Sequence, residues 1–567
     1  MRFKHILIPA SLAALLFAGC GGTTNPSDEV AKTPAKRGGT LTVPWSGDVD
    51  SIDPGQTYYS GGYMVANVTQ RTPMAYQPGR VDARPDLAVE APKVSADGKT
   101  VTVKLRTGVH FSPPVEREVT SADVKYAIER GFFSSVNNPY APAYFGDVVG
   151  AKLGAKPGTR ISGIETPDER TVQFRLRRAT GGTLAAALVL PLAAPVPREY
   201  ALPLDSKKVS EYGVKQVATG PYMVGEYKPG KNITLVRNPS WNAKTDFRPA
   251  YLDRIEMPQG NDDAIVASRR ILAGSHMASG DYMIPPAVLK QAFTKTPEQL
   301  KMVDSGGGRW AALNTQVAPF DNVNVRKAVV AAFNREAALM ALGGKNVGTV
   351  ATHFLPPGMP GFEQAGGARG AGLDFLAKPT GDLTVAAKYM KAAGYASGRY
   401  QGDQILMVGP SSGNGRAISE IARQAFESVG FKVKLRLLSM EVVMTRFCGY
   451  PKAAVAVCPN IGWVKDFADG QTYLDPTFNG NNIQPVGNSN ISMLDDPAVN
   501  AAMEKAKTLT DPAARAQAWG EVDRAITALA PAVPLVWDKV PMAHSKDVNA
   551  VPNDQLGIWD FAFTSLK

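Results

Sequence analysis

Apolar and polar residues alternate with period two in several short runs, and helical periodicity appears between them. Val101, Val103 and Leu105 alternate with Thr102, Lys104 and Arg106 behind an Asp97-Gly98 turn signal, which predicts a half-buried strand. Val172, Phe174 and Leu176 repeat the pattern, as do Ile233 and Leu235. A helical period is carried by Val124, Ala127 and Ile128 behind the N-cap candidates Thr120 and Ser121. Ile418, Ile421, Ala425 and Val429 form a second apolar stripe that stops at Gly430, and Phe431, Val433, Leu435 and Leu437 then read as a strand. Asp511-Pro512 opens a last helix with Trp519, Val522, Ile526 and Leu529 on one face. The chain is mixed α/β, without a short-period repeat.

Three stretches break these patterns: residues 191–203, 356–372 and 466–487, all rich in Pro and Gly or lacking a period. The last is long for a connection inside a compact protein, and such loops are functional or disordered. Trp463, Phe467, Tyr473 and Phe478 in or beside it argue for a packed, functional loop.

The N-terminus carries a different signal. Arg2 and Lys4 precede an apolar run, Ile6 to Phe17, that is too short to span a bilayer and has the build of a secretory leader. Phe17-Ala18-Gly19-Cys20 resembles the lipobox of bacterial lipoproteins, with Phe17 where Leu is usual. Residues 1–19 are therefore expected to be a signal peptide, and residues 20–37 a tether lipidated at Cys20. Gly, Thr, Pro, Lys and Ser dominate the tether, leaving little to bury. The body is expected outside the cytoplasm, anchored to the cell membrane.

Without the leader the chain still far exceeds the roughly 250–300 residues at which one core stops growing, so at least two lobes are expected. The formal charge of +11 is spread along the whole length, whereas a nucleic-acid protein concentrates it in a patch. The densest cluster, Arg175-Leu176-Arg177-Arg178, ends a strand pattern and reads as a solvated edge. Of three cysteines, Cys448 and Cys458 remain after Cys20. An even remainder in an exported chain suggests a disulfide, with two free thiols as the alternative.

Metal and cofactor chemistry find no support. The five histidines are far apart in sequence, and neither a phosphate-binding loop nor a dinucleotide fingerprint is present. Gly409-Pro410-Ser411-Ser412-Gly413 matches the G-x-S-x-G nucleophile elbow by letter, with His544 the one histidine that follows it. A secreted serine hydrolase using Ser411 is thus one reading. A polar loop entering a helix N-terminus is the better account, because Pro410 is awkward in so strained a turn.

An ordered set of segments resembles the large extracytoplasmic solute-binding proteins of ABC transporters, of the oligopeptide/dipeptide/nickel type (family 5). Gly38-Gly39-Thr40-Leu41-Thr42-Val43 resembles the family's opening strand. Pro85-Asp86-Leu87-Ala88 follows, then the run Lys99 to Arg106, Val109-His110-Phe111-Ser112 and Ala122 to Ala127. Thr219-Gly220-Pro221-Tyr222 precedes Arg237-Asn238-Pro239-Ser240-Trp241, and Leu313-Asn314 precedes Val325-Arg326-Lys327-Ala328. The resemblance implies a two-lobe periplasmic-binding-protein-like fold, of the large type with an extra domain inserted in lobe I. Lobe I would comprise residues 38–75, 200–305 and 526–567, the inserted domain 76–199, and lobe II 306–525.

The same resemblance locates a site. Gly462-Trp463-Val464-Lys465-Asp466 is similar to the family's W-x-x-D segment, whose aspartate pairs with the ligand's N-terminal ammonium in peptide-binding members. Asp466 is the implied anchor, with Asp469 nearby as the alternative and Trp463 as a candidate wall. Asp469-Gly470 stands where the family commonly has Asp-Pro. Tyr140 and Tyr144 match a segment that approaches ligand from the inserted domain, and Trp45 and Tyr58 lie near the first crossover. The implied protein is a monomeric, membrane-anchored receptor that captures short peptides between its lobes and delivers them to an ABC permease. It would need no cofactor and perform no catalysis. The same fold binding a sugar, a metal chelate or a signalling molecule is the other reading.

Overall fold

The computed structural model describes residues 35–411 and 413–567. The leader, Cys20 and most of the tether lie outside the described residues.

Three sheets organise the chain. The first has four strands in the spatial order Thr40–Thr42, Arg254–Pro258, Asn232–Arg237, Tyr222–Lys228. Its opening pair is parallel and the rest antiparallel. Leu41, Ile233, Leu235, Ile255 and Met257 point into one fully buried core, which also holds Trp45 and Trp559. The second sheet, ordered Lys93–Val94, Thr100–Lys104, Thr171–Arg175, Ile164–Asp168, belongs to the inserted domain. Here the period-two residues Val101, Val103, Val172 and Phe174 are buried against the helix Ser121–Gly131. Thr120 starts that helix, its amide donating to Asp123 Oδ2 at 2.8 Å.

The third sheet has six strands: Gly348–Val350, Ala532–Ala543, Leu300–Leu313, Val457–Val464, Ile405–Pro410 and Val433–Leu438. The helix Gly413–Ser428 connects the parallel pair at its edge. Gly430, at φ +102°, turns the chain from that helix into the last strand of the sheet. The helix Pro512–Leu529 starts at Asp511, whose carboxylate accepts from the Ala514 amide, and buries Trp519, Val522 and Ile526.

Two long antiparallel strands join the lobes. In Leu300–Leu313, Val303 is buried in the first core while Ala311 and Leu313 are buried in another. Its partner Ala532–Ala543 contributes Met542 to the first core and Val533, Leu535 and Val536 to the second. The C-terminal crossover therefore runs along this strand, beyond the boundary at 526 expected from the sequence, because its first half completes the lobe II sheet. The register slips between Asp304 and Gly307, where Gly306 takes φ +64°. A Cβ at Gly306 would meet the Lys465 side chain at 2.5 Å, so glycine serves both the turn and the close approach.

Buried charge ties the inserted domain to lobe I. Arg130, on the helix Ser121–Gly131, binds Asp53 through both terminal nitrogens at 2.7 and 2.8 Å. The same guanidinium binds Asp205, and Tyr126 also donates to that carboxylate at 2.7 Å. Cys448 and Cys458 are joined by a disulfide at the base of the strand Val457–Val464. No helix of the described residues is long and apolar enough to cross a membrane.

Candidate binding site between the lobes

The strand Val457–Val464 pairs with Leu300–Leu313 up to Val464 and then leaves the sheet. Lys465 and Asp466 follow immediately, so the sheet edge fixes where they emerge. The Lys465 amide still donates to Gly306 O, and its ammonium turns away to Gln555 Oε1 at 2.8 Å. Burial pushes the Lys465 ammonium down to about 8, against the pull of Asp304 and Asp554.

Asp466 faces the other lobe. Tyr58 of lobe I donates its hydroxyl to Asp466 Oδ1 at 2.8 Å, and Tyr144 of the inserted domain donates to Oδ2. These residues are 408 and 322 positions away in sequence, so one carboxylate joins three parts of the fold. Among the described residues, no Lys, Arg or His nitrogen lies within salt-bridge distance of it. Burial raises its carboxyl to about 6, although both tyrosine hydroxyls pull the other way. Burial and the neighbouring carboxylate together push the Tyr58 and Tyr144 phenols up, so both remain neutral donors.

The loop after Asp466 is braced against the inserted domain. Phe467 is buried in that domain's core, with its ring 4.9 Å from the Tyr144 ring. The Ala468 amide donates to the Tyr76 hydroxyl at 2.9 Å. Asp469 is engaged differently. Arg515 binds it at 2.5 and 3.2 Å, and its Oδ1 accepts from the Gln471 amide at 2.9 Å. Asp469 is thus a structural carboxylate paired with Arg515, whereas Asp466 has no cationic partner among the described residues.

Residues 466–487 are less irregular than their sequence suggests, because Gln471–Phe478 forms a helix with Pro476 inside it. Proline has no amide to give the carbonyl four residues back, which is that of Thr472. Trp463 supplies the missing donor: its indole Nε1 bonds Thr472 O at 2.9 Å. Trp463 is half-buried against the lobe II core, so it holds the site loop through this bond. Replacing it with phenylalanine should leave that carbonyl without its partner and cost about 1–3 kcal/mol, read from the urea midpoint.

The structure brings Asp466, Tyr58 and Tyr144 into contact and sets Tyr140 behind them, its ring 5.8 Å from Tyr58. It does not bring Trp45 there, since that indole is fully buried in the lobe I core. Asp466 also lines a cavity of about 40 Å³ together with Tyr63, Asn67 and Gln70, residues that the sequence patterns did not single out. Their signal is a polar spacing of four and then three on the helix Ser60–Thr69, obscured by Gly61 and Gly62.

Among the described residues, no three His, Cys, Asp or Glu side chains gather into a metal site. Ser411 is exposed at the end of its strand, its amide donating to Leu438 O. His544 is buried against Trp559 in lobe I, with Nδ1 2.9 Å from Ser545 O. The serine and the histidine of the G-x-S-x-G reading therefore sit in different lobes.

Comparison with known proteins agrees with this architecture. Residues 82–485 match the model of the bacterial extracellular solute-binding proteins, family 5 (middle region). The chain is 26% identical over 565 residues to heme-binding protein A of Haemophilus influenzae, covering 96% of this chain and 94% of that one. It is 25% identical over 506 residues to di/tripeptide-binding protein 1 of Pseudomonas aeruginosa, covering 86% of each. The solved structure of clavulanic acid biosynthesis oligopeptide binding protein 2 superposes with a TM-score of 0.83 at 30% identity, over 94% of this chain and 96% of that one. With most of its length matched by the family model, the chain belongs to family 5 of the bacterial extracellular solute-binding proteins.

Proposed function

We propose that this protein captures short peptides between its lobes, with Asp466 as the anchor for the peptide's N-terminal ammonium. The observation that carries the reading is a carboxylate between the lobes that has two hydroxyl donors and, among the described residues, no cation. An ammonium brought there makes a charge-assisted bond in a partly dry site, and a ligand without that cation is rejected. Asp469 is already held by Arg515, which leaves the role to Asp466. Relatives named as di/tripeptide-binding proteins support the ligand class.

Tyr58 and Tyr144 would orient the carboxylate, with Tyr140 packed behind them and Trp463 holding the loop. Lobe I would span residues 38–75 and 200–305 with the C-terminal segment, the inserted domain 76–199, and lobe II the stretch from 306 into the crossover strand. The cavity beside Asp466, about 40 Å³, is far smaller than a peptide, so ligand entry requires the lobes to separate. The protein would act as a monomer held at the membrane by lipid on Cys20, and its closed form would present the peptide to an ABC permease.

The pH dependence of binding tests the anchor. Burial between the lobes raises the Asp466 carboxyl to about 6, and an ammonium needs its ionised form. As pH falls below about 6, binding must displace a proton, so affinity should drop by up to about tenfold per unit. Above that pH the affinity should level off. Calorimetric titration of a tripeptide at pH 4.5 to 7.5 reads this directly, and a flat profile in the wild-type protein would contradict it.

A further inference from the structure

The helix Gly181–Ala187 of the inserted domain meets lobe II through residues that the Asp466 contacts do not involve. Its Thr183 is 2% exposed and donates its hydroxyl to Gln471 Oε1 at 2.6 Å. The same hydroxyl accepts from Arg515 Nη2 at 3.1 Å. These partners lie 288 and 332 positions away, and both belong to lobe II. Lobe II builds the rest of the socket by itself. Arg515 binds Asp469 and Gln471, and its Nη1 donates to the carbonyls of Ala506 and Lys507 at the end of the helix Pro497–Lys507. Only the threonine comes from the other side. The backbones also approach closely here, since a Cβ on Gly182 would stand 3.0 Å from Leu509 O.

We infer that Thr183 is a latch that engages only when the lobes are closed, and that it sets the closed fraction and hence the affinity for any ligand. The inference rests on the lobes separating for ligand entry, as proposed above, and not on which ligand enters. The Arg130 cluster makes the inserted domain follow lobe I, so opening draws Thr183 out of a socket that lobe II retains. A threonine hydroxyl both donates and accepts, which is what the socket asks of it. A buried hydrogen bond from a charged donor is among the stronger ones, and its loss falls on the closed form alone. Arg178 and Glu504 bridge the same two sides at 3.1 Å, but both are partly open to water and add little. Asp466 and Gln471 lie on one short segment, so the same movement that brings Tyr58 and Tyr144 to the carboxylate brings Thr183 to its socket.

The test measures the spread of the lobes directly. In residues 21–567, Leu153→Cys in the inserted domain and Arg524→Cys in lobe II, both exposed positions, carry spin labels for double electron–electron resonance. Distances are recorded without ligand and with tri-alanine, whose affinity is read by calorimetry. Thr183→Val keeps the shape of the side chain and removes the hydroxyl. It should lower the ratio of short to long distances roughly tenfold in both conditions. Affinity for tri-alanine should fall by up to the same factor. Thr183→Ser, which keeps the hydroxyl, should restore both. If Thr183→Val fails to fold, Gly182→Leu should lower the same ratio, because its side chain meets Leu509 in the closed form alone. An unchanged ratio in a protein that binds tri-alanine would overturn the latch and leave the peptide reading standing. A lowered ratio in a protein that does not bind tri-alanine would keep the latch and count against the peptide reading. A wild-type protein without a short-distance population in either condition would overturn the latch as well.

Discussion

Replacing Asp466 with asparagine is expected to weaken peptide binding by roughly a hundredfold or more while leaving the fold intact. Removing one partner of a buried, hydrogen-bonded charge pair costs about 2–5 kcal/mol of binding energy. Asparagine keeps the size of the side chain and one acceptor for the Tyr58 or Tyr144 hydroxyl, but it cannot balance an ammonium. The free protein should not suffer, because it already bears the cost of a carboxylate whose titration burial has raised to about 6. Linkage gives the sign: a carboxyl whose folded pKa is raised favours the folded state as pH falls through that value, and opposes it above. Asp466→Asn removes that opposition at neutral pH, so its Tm should equal or exceed that of the wild type. Loss of both affinity and Tm would mean that Asp466 is structural. N-acetylation of the peptide should reproduce the loss of affinity in the wild-type protein.

The second large effect concerns stability. Arg130→Met should destabilise the protein by about 3–5 kcal/mol, the usual cost of stranding a buried charge. Two carboxylates depend on this guanidinium, Asp53 and Asp205, and all three side chains are fully buried. Burial alone would raise the Asp205 carboxyl, yet the Arg130 hydrogen bonds and charge hold it below its ordinary value. Its stabilising contribution is therefore complete above pH 4 and is lost as pH falls through the depressed value. In Arg130→Met the same carboxyl should take up its proton at higher pH, so the acid limb of stability should move upward. Urea denaturation across pH measures both effects. A change below about 1 kcal/mol would show that the cluster does not hold the inserted domain to lobe I.

The sequence was most legible where one segment decides its own structure. The stripe ending at Val429 and Gly430 became a helix and a turn because apolar spacing and a positive-φ residue are both local. The strands Thr100–Lys104 and Thr171–Arg175 followed their alternation for the same reason. The helix Gln471–Phe478 was hidden because Pro476 argues against it, and the bond from Trp463 that compensates comes from a separate strand. No local pattern marks where the strand Ala532–Ala543 passes from one core to the other.

Long-range polar contacts were the least legible. Nothing in the neighbourhood of Arg130 names Asp53 or Asp205. The convergence of Tyr58, Tyr144 and Asp466 came into view only through resemblance to a family whose segments recur in order. Tyr63, Asn67 and Gln70 carried no such resemblance, and three ordinary polar residues become a feature only once the fold sets them beside Asp466.

On the proposed function, the space between the lobes receives a peptide by its N-terminal ammonium. The most direct measurement is to produce residues 21–567, denature the purified protein and identify released small molecules by mass spectrometry. The expected result is a set of short peptides with free N-termini, absent from the Asp466→Asn protein. A single non-peptide species, or peptides retained equally by the variant, would contradict it.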